Sequence, residues 1–450
     1  MRQFYRSAVL VIGFCLFIAA VAGAQAVPSY DDHFYDSLAS ADSSATIPPG
    51  TVINAQNWQQ YKQFMPMGLQ LLLAGKLPTF NPPPDFQIVV GPTESYPLPK
   101  KFVADSEKYS AQVKLVHNSD GGTSLQGYVS GLPFPRPSGP DEGIELLWDT
   151  YYNWQPHIGQ IDTWSQATDR YMNRNATRVT CVHFKQMHIS DPDLPPNMPD
   201  AKGIFLTENC EVWEPEQSKY VTSLQVFYDD PRAVAENYAF IPALRRSLRL
   251  SSAARCAPFA GGDFTNDDFR NGMNLQVPLF QSKFLGVKKI LTMVFPNRDF
   301  YLPYSKGANP PPQYYYPSFI PRPGVGKWQL RDMYVFDNRR VPSQNRGYCY
   351  GNRVMFLDKE QIAPQWLDLY DAGLKYWKFY WNLYYPELFP DSGERTFGSG
   401  TTGGFFLMQE FQNTHEDAAW QVSHWGTNVP PGFRDYTRWG TPAGLLQVMQ

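Results

Sequence analysis

The chain is poor in charge. Asp, Glu, Lys and Arg make up 18% of its 450 residues, and 39 basic against 42 acidic side chains leave a net charge of −3. That balance excludes the basic footprint of a nucleic-acid-binding protein. Cysteine is scarce, at 5 residues, and none lies in a C-x-x-C or C-x-x-H spacing, so a zinc site is not expected. No apolar run beyond the N-terminal one is long enough to cross a bilayer. The motifs of common enzymes are missing too: no G-x-S-x-G, no H-E-x-x-H, no P-loop and no G-x-G-x-x-G behind a strand. The reading is therefore of a protein that is not an enzyme and carries no cofactor.

What the chain does have is an export signal and many aromatics. Arg2 and Arg6 precede an apolar stretch over residues 8–21, and Ala22-Gly23-Ala24 offers small residues for cleavage after Ala24, with Ala26 as the near alternative. Phe14 stands before Cys15 where a lipoprotein signal needs a small residue, so no lipid anchor is expected. The expected division is a signal peptide over 1–24, a loosely structured segment over 25–56 and one large domain over 57–450. Aromatic residues reach 15% and proline 40 residues, a mixture that suits β-sheet faces joined by long loops.

Four cysteines remain after cleavage: Cys181, Cys210, Cys256 and Cys349. An oxidising compartment permits two disulfides among three connectivities. The pairing Cys181–Cys210 with Cys256–Cys349 is preferred, because the first pair brackets one Pro-rich excursion at residues 190–200. Four buried free thiols are the alternative.

Periodicity separates one early helix from many strands. Asn57 is a candidate cap, and Trp58, Tyr61, Met65, Leu69 and Leu72 recur at helical steps interrupted by Pro66. From residue 109 the period shifts towards two, over 111–115, 220–227, 290–295 and 328–336. Residues 374–385 place Trp377, Phe379, Trp381, Leu383 and Tyr385 on one side of a strand and Tyr376, Tyr380 and Tyr384 on the other. Strands apolar on both faces must be covered on both, or enclose something apolar. The expectation is a curved sheet with the helix at 57–74 over its inner face. Either that sheet is packed solid, or one face lines a greasy cavity.

Three clusters invite chemistry. His183 and His188 are five apart and point to opposite faces of a straight strand, which makes them poor co-ligands. His415-Glu416-Asp417 sets an imidazole beside carboxylates, yet a solvated turn explains it as well. Residues 261–268, GGDFTNDD, supply oxygens that calcium accepts; the local alternative is that Thr265 or Asn266 caps a short helix and Asp267 and Asp268 favour its positive end.

Before that cluster run residues 238–246, YAFIPALRR. Together with VGPTESYPLP at 90–99 and GYVSGLPFP at 127–135, this order resembles an uncharacterised Proteobacterial exported family grouped with outer-membrane lipoprotein-sorting proteins, whose fold is like that of the LolA and LolB carriers. The resemblance implies a mainly β (α+β) fold: a half-open, strongly curved antiparallel sheet with helices on its concave side, enclosing space for acyl chains. The function expected is a periplasmic binding or carrier protein for a hydrophobic, lipid-like ligand, working beside an envelope transporter, with membrane contact peripheral or transient at most. Trp148, Trp213, Phe227 and Tyr238 are the candidate lining residues, and Arg245 and Arg246 the candidate partners of an anionic head group. The rivals are a structural or assembly protein of the envelope and a lipid or glycan hydrolase using His415.

Overall fold

Each alternating segment from residue 220 onward is a strand. The computed structural model describes residues 44–76, 82–168, 174–250, 255–256, 265–272, 274–294, 315, 320–389, 394–396, 402–409 and 416–448. The expected signal peptide, most of the segment over 25–56, His415 and the first four residues of the acidic cluster lie outside them.

Besides three two-stranded ribbons, the described residues build a sheet of 13 strands. In chain order these are β1 (Ile158–Thr168), β2 (Arg174–Lys185), β3 (Ile204–Glu214), β4 (Thr222–Tyr228), β5 (Glu236–Ile241), β6 (Arg246–Leu250), β7 (Phe280–Val294), β8 (Lys327–Arg340), β9 (Tyr350–Asp358), β10 (Pro364–Asp371), β11 (Tyr376–Tyr384), β12 (Thr402–Gln409) and β13 (Glu416–Trp425). Antiparallel ladders connect them in the order β6-β5-β4-β3-β2-β1-β13-β12-β11-β10-β9-β8-β7. One parallel bridge, Val294 to Tyr384, returns the end of β7 to β11. Strands β7–β11 thus close on themselves while β1–β6 stay open. This is the mainly β, half-open curved sheet that the sequence led us to expect.

Helices are few: α1 (Met67–Leu73), α2 (Lys100–Tyr109), α3 (Glu142–Tyr151), α4 (Phe269–Gly272) and α5 (Tyr436–Trp439). Alternate residues of β9–β11 enter two apolar clusters. Val354, Phe356, Trp366, Phe379 and Trp381 join Phe64, Leu69 and Leu72 of the N-terminal segment. Met355, Leu357, Leu367 and Tyr380 join Trp148 and Tyr151 of α3, together with Leu206, Phe227 and Trp425 from the other half of the sheet. A cluster that draws on both halves marks the concave side, so α3 fills the concavity and α1 covers the opposite face. The helix expected over the inner face is therefore outside it. Its Asn57 does not cap: the side chain accepts from the Asn54 N–H and donates to the Val52 carbonyl, and a 3-10 turn over Trp58–Phe64 replaces the first helical stretch up to Pro66.

One register shift alters the reading of residues 374–385. Leu369 pairs with Lys378 but Tyr370 with Tyr376, so Trp377 is an extra residue in β11. Trp377 consequently packs with the inner cluster and Tyr376 with the outer one. Both faces of β11 are packed, and neither lines a cavity.

Both expected disulfides are present. Cys181 and Cys210 are direct cross-strand partners on β2 and β3, with Cα atoms 4.0 Å apart. Cys256 joins Cys349, 93 residues on.

Candidate functional site: the inner face of the open half-sheet

Directly paired residues of neighbouring strands share a face. From Leu206 and Phe227 of the inner cluster, register therefore assigns the inner face of β1–β4. One row holds Lys185, Leu206 and Phe227; the next holds Gly159, His183, Glu208 and Gln225; the third holds Ile161, Cys181, Cys210 and Ser223; the fourth holds Thr163, Val179 and Val212. The intervening residues face out. Val182 and Phe184 pack on Trp439, Leu224 and Val226 pack on Leu445 and Val448, and Glu211 accepts from Arg438 Nη2 at 2.9 Å. The C-terminal segment thus seals the outer face.

The usual order of burial is reversed here. Outward-facing Thr180, Val182, Asn209, Glu211, Leu224 and Val226 are all buried. Inward-facing Ile161, Thr163, Val179, Cys181, Cys210, Val212, Ser223 and Gln225 are only half-buried. The open half-sheet presents a concave trough floored by two valines, an isoleucine and a disulfide. Its inner end meets Tyr151, Phe205 and Phe227 against α3.

Ionisable groups gather at that end. Lys185 is 2% exposed, and burial pushes its ammonium down to about 8. His183 is buried, with its Nε2 3.3 Å from the Pro156 carbonyl oxygen, and burial pushes the imidazole down to about 3. Burial raises Glu208 above the usual carboxylate range. Arg270 of α4 lies over the rings of Phe227 and Tyr151, 5.4 and 5.9 Å from their centroids. Gly159 is required here, since a side chain on it would strike both the His183 ring and the Trp425 ring.

The described part of the acidic cluster, Thr265–Asp268, is by contrast engaged by protein partners. Thr265 and Asp268 form a reciprocal capping box. Asp268 accepts from Lys378 Nζ at 2.8 Å and from the Tyr350 hydroxyl at 2.6 Å. Asp267 accepts from Arg255 and from the Tyr348 hydroxyl. The charge of Lys378 and then that of Arg353 outweigh burial and hold Asp268 below its ordinary value. Each carboxylate oxygen of Asp267 and Asp268 is bound by a protein cation or donor, and the described residues contain no group of three or more His, Cys, Asp or Glu arranged for a metal. His188 likewise leaves the strand, its Nε2 2.6 Å from Asp229 and its Nδ1 2.7 Å from the Val129 carbonyl oxygen.

Of the residues singled out in the sequence, Trp148 and Phe227 meet in the inner cluster. Trp148 donates to Thr123 Oγ1 at 3.0 Å and is fully buried. Trp213 is the extra residue of a bulge between Val212 and Glu214, half-buried against Tyr220. Tyr238 packs on the outer face beside Leu224 and Phe240. Arg245 turns at φ 50° and, with Arg246, stands exposed at the sheet edge. Lys185, Glu208 and Arg270 escaped notice, because a lone charged residue in an alternating strand reads as solvent-facing. Two surface clefts lie away from the trough. One of about 660 Å³ is lined by Trp58, Met67, Leu71, Pro83 and Phe86, and one of about 270 Å³ by Leu132, Asp149, Tyr334 and Lys359.

A family model described as a protein of unknown function, DUF1329, matches residues 52–398. The chain belongs to that family. No curated protein matches it. Among solved structures, a DUF1329 family protein from Desulfovibrio piger is 10% identical and aligns 67% of this chain with 99% of its own at a TM-score of 0.45. An outer membrane lipoprotein-sorting protein domain from Vibrio parahaemolyticus is 12% identical, over 65% of this chain and 97% of its own, at 0.43. A LolA superfamily protein from Nitrosomonas europaea is 9% identical, over 66% and 98%, at 0.37.

Proposed function

We propose that this DUF1329 family member is an exported binding or carrier protein that takes a lipid-like molecule into the trough of β1–β4, and that it is not an enzyme. One observation carries the reading: the inner face of the open half-sheet is left half-exposed while its outer face is sealed. Folding alone gives no reason to leave Ile161, Val179 and Val212 uncovered, since burying apolar surface is worth about 25 cal/mol per Å². A ligand that covers them recovers that stabilisation, at about 0.8 kcal/mol per buried methylene before ordering costs. Few precisely placed polar groups beside an apolar wall suit binding. The two disulfides support an oxidising compartment, in keeping with a periplasmic site of action beside an envelope transporter. Among the described residues no helix is long and apolar enough to cross a membrane.

A second reading, an envelope assembly component, draws on the sheet edge at β6, where Leu250 is exposed along with Leu244 in the turn before it and Val234 ahead of β5. Binding of a fluorescent fatty acid by the mature chain separates the two. Ile161→Glu and Val212→Glu should each weaken it by about tenfold or more, since a charge on an apolar contact must be desolvated. Far-UV circular dichroism should stay unchanged, because both sites are half-exposed. A wild-type chain that binds no apolar probe overturns the carrier reading in favour of assembly.

A further inference from the structure

Lys185 is the residue that the fold alone explains least. It ends β2, is 2% exposed, and stands in the same inner row as Leu206 and Phe227. Among the described residues its ammonium makes no hydrogen bond or ion pair, and it lies 5.8 Å from the centroid of the Phe205 ring. Arg270 of α4 lies over the ring of Phe227 and, among the described residues, likewise makes no hydrogen bond or ion pair. Its positive charge repels that of Lys185. The groups around them do not neutralise this pair. His183 is uncharged, Glu208 makes no ion pair with either, and Asp191 acts on Lys185 only at a distance while accepting from the His157 N–H at 2.9 Å.

Two cations at the closed end of an apolar trough, each without a counter-ion in contact, describe half of a binding site. Buried charges persist in proteins when they are paired, and an unpaired one is costly. An oxyanion held by half-buried Arg270 and buried Lys185 would accept charge-assisted hydrogen bonds from both, which are stronger than neutral ones. Arg270 also holds its backbone at φ 54°, a conformation that is costly for a non-glycine residue and recurs where position matters. We propose that Lys185 and Arg270 form the head-group site of the trough. It takes the carboxylate or phosphate of an amphipathic ligand whose hydrocarbon chain lies along Ile161, Val179, Val212 and the Cys181–Cys210 disulfide. This assignment rests on the carrier reading above and names the ligand class within it.

The test compares dodecanoate, dodecyl phosphate and dodecanol binding to the mature chain by calorimetry at neutral pH. At least one anion should bind about tenfold or more tightly than the alcohol, and the preferred head group identifies the source as fatty acid or phosphate lipid. The preference should fall towards one in Lys185→Met and in Arg270→Gln, survive in Lys185→Arg, and weaken in the wild type as pH rises through about 8. Equal affinity for all three compounds, or a preference untouched in both charge-removing variants, overturns the head-group site and leaves the carrier reading standing. Failure to bind any of the three overturns both.

Discussion

Lys378 and Asp268 meet in the interior with both side chains fully buried, the ammonium donating to Oδ2 at 2.8 Å. The pair ties β11 to the segment that crosses the concave side. Tyr350 adds a second donor and Tyr380 donates to the Asp268 carbonyl, so Asp268 serves as an internal anchor. Lys378→Met should destabilise the protein by about 3–5 kcal/mol, because it strands a buried carboxylate. Lys378→Met combined with Asp268→Asn should recover part of that loss. Urea unfolding of the two variants checks this; equal losses would mean that the pair is not coupled.

Gly159 is the contact point between β2 and β13 on the inner face. Ala there would press on the imidazole of His183 and the indole of Trp425. Overpacking of this kind costs about 1–3 kcal/mol, so Gly159→Ala should lower the unfolding midpoint. His183→Ala in the Gly159→Ala background should restore part of it by clearing space.

The two disulfides close loops of different size. With sequence separations of 29 and 93, chain entropy gives about 3.6 kcal/mol for Cys181–Cys210 and about 4.7 kcal/mol for Cys256–Cys349. Replacing each pair by alanine should therefore cost more at the second. Peptide mapping of the unreduced protein checks the connectivity directly.

Lys185 also predicts how stability depends on pH. Its folded value of about 8 lies below the usual 10.5, so between those values the unfolded chain binds the proton and the folded chain does not. Stability should rise with pH across that window and stay level below it. Lys185→Met removes the penalty and should stabilise the protein by about 3 kcal/mol at neutral pH. A gain in stability with a loss of ligand is the trade expected of a residue kept for binding. Destabilisation by Lys185→Met would instead mean that the ammonium is well solvated.

The strands were legible because alternation at period two survives in β8 and β11 whatever they pack against. The disulfide between Cys181 and Cys210 was legible because its residues flank one excursion. Helix α3 left a signal that went unread: Ile144, Leu147, Trp148 and Tyr151 recur at helical spacing. Which face each helix covers was not legible, since that depends on how β7 returns to β11 across the whole sheet. The same holds for Lys185, which is covered by Phe205 and Leu206 of β3 and not by its neighbours in sequence. Trp377 was placed by unbroken alternation, and a bulge overruled it; Trp213, a candidate lining residue, also falls on a bulge.

The central claim is that the trough of β1–β4 holds a lipid-like ligand. Native mass spectrometry of the mature protein, purified without detergent from an exporting cell and then offered a fatty-acid mixture, tests it most directly. The account predicts one bound lipid per chain in the wild type and none in Val212→Glu. A wild-type chain found free of lipid before and after exposure would contradict it.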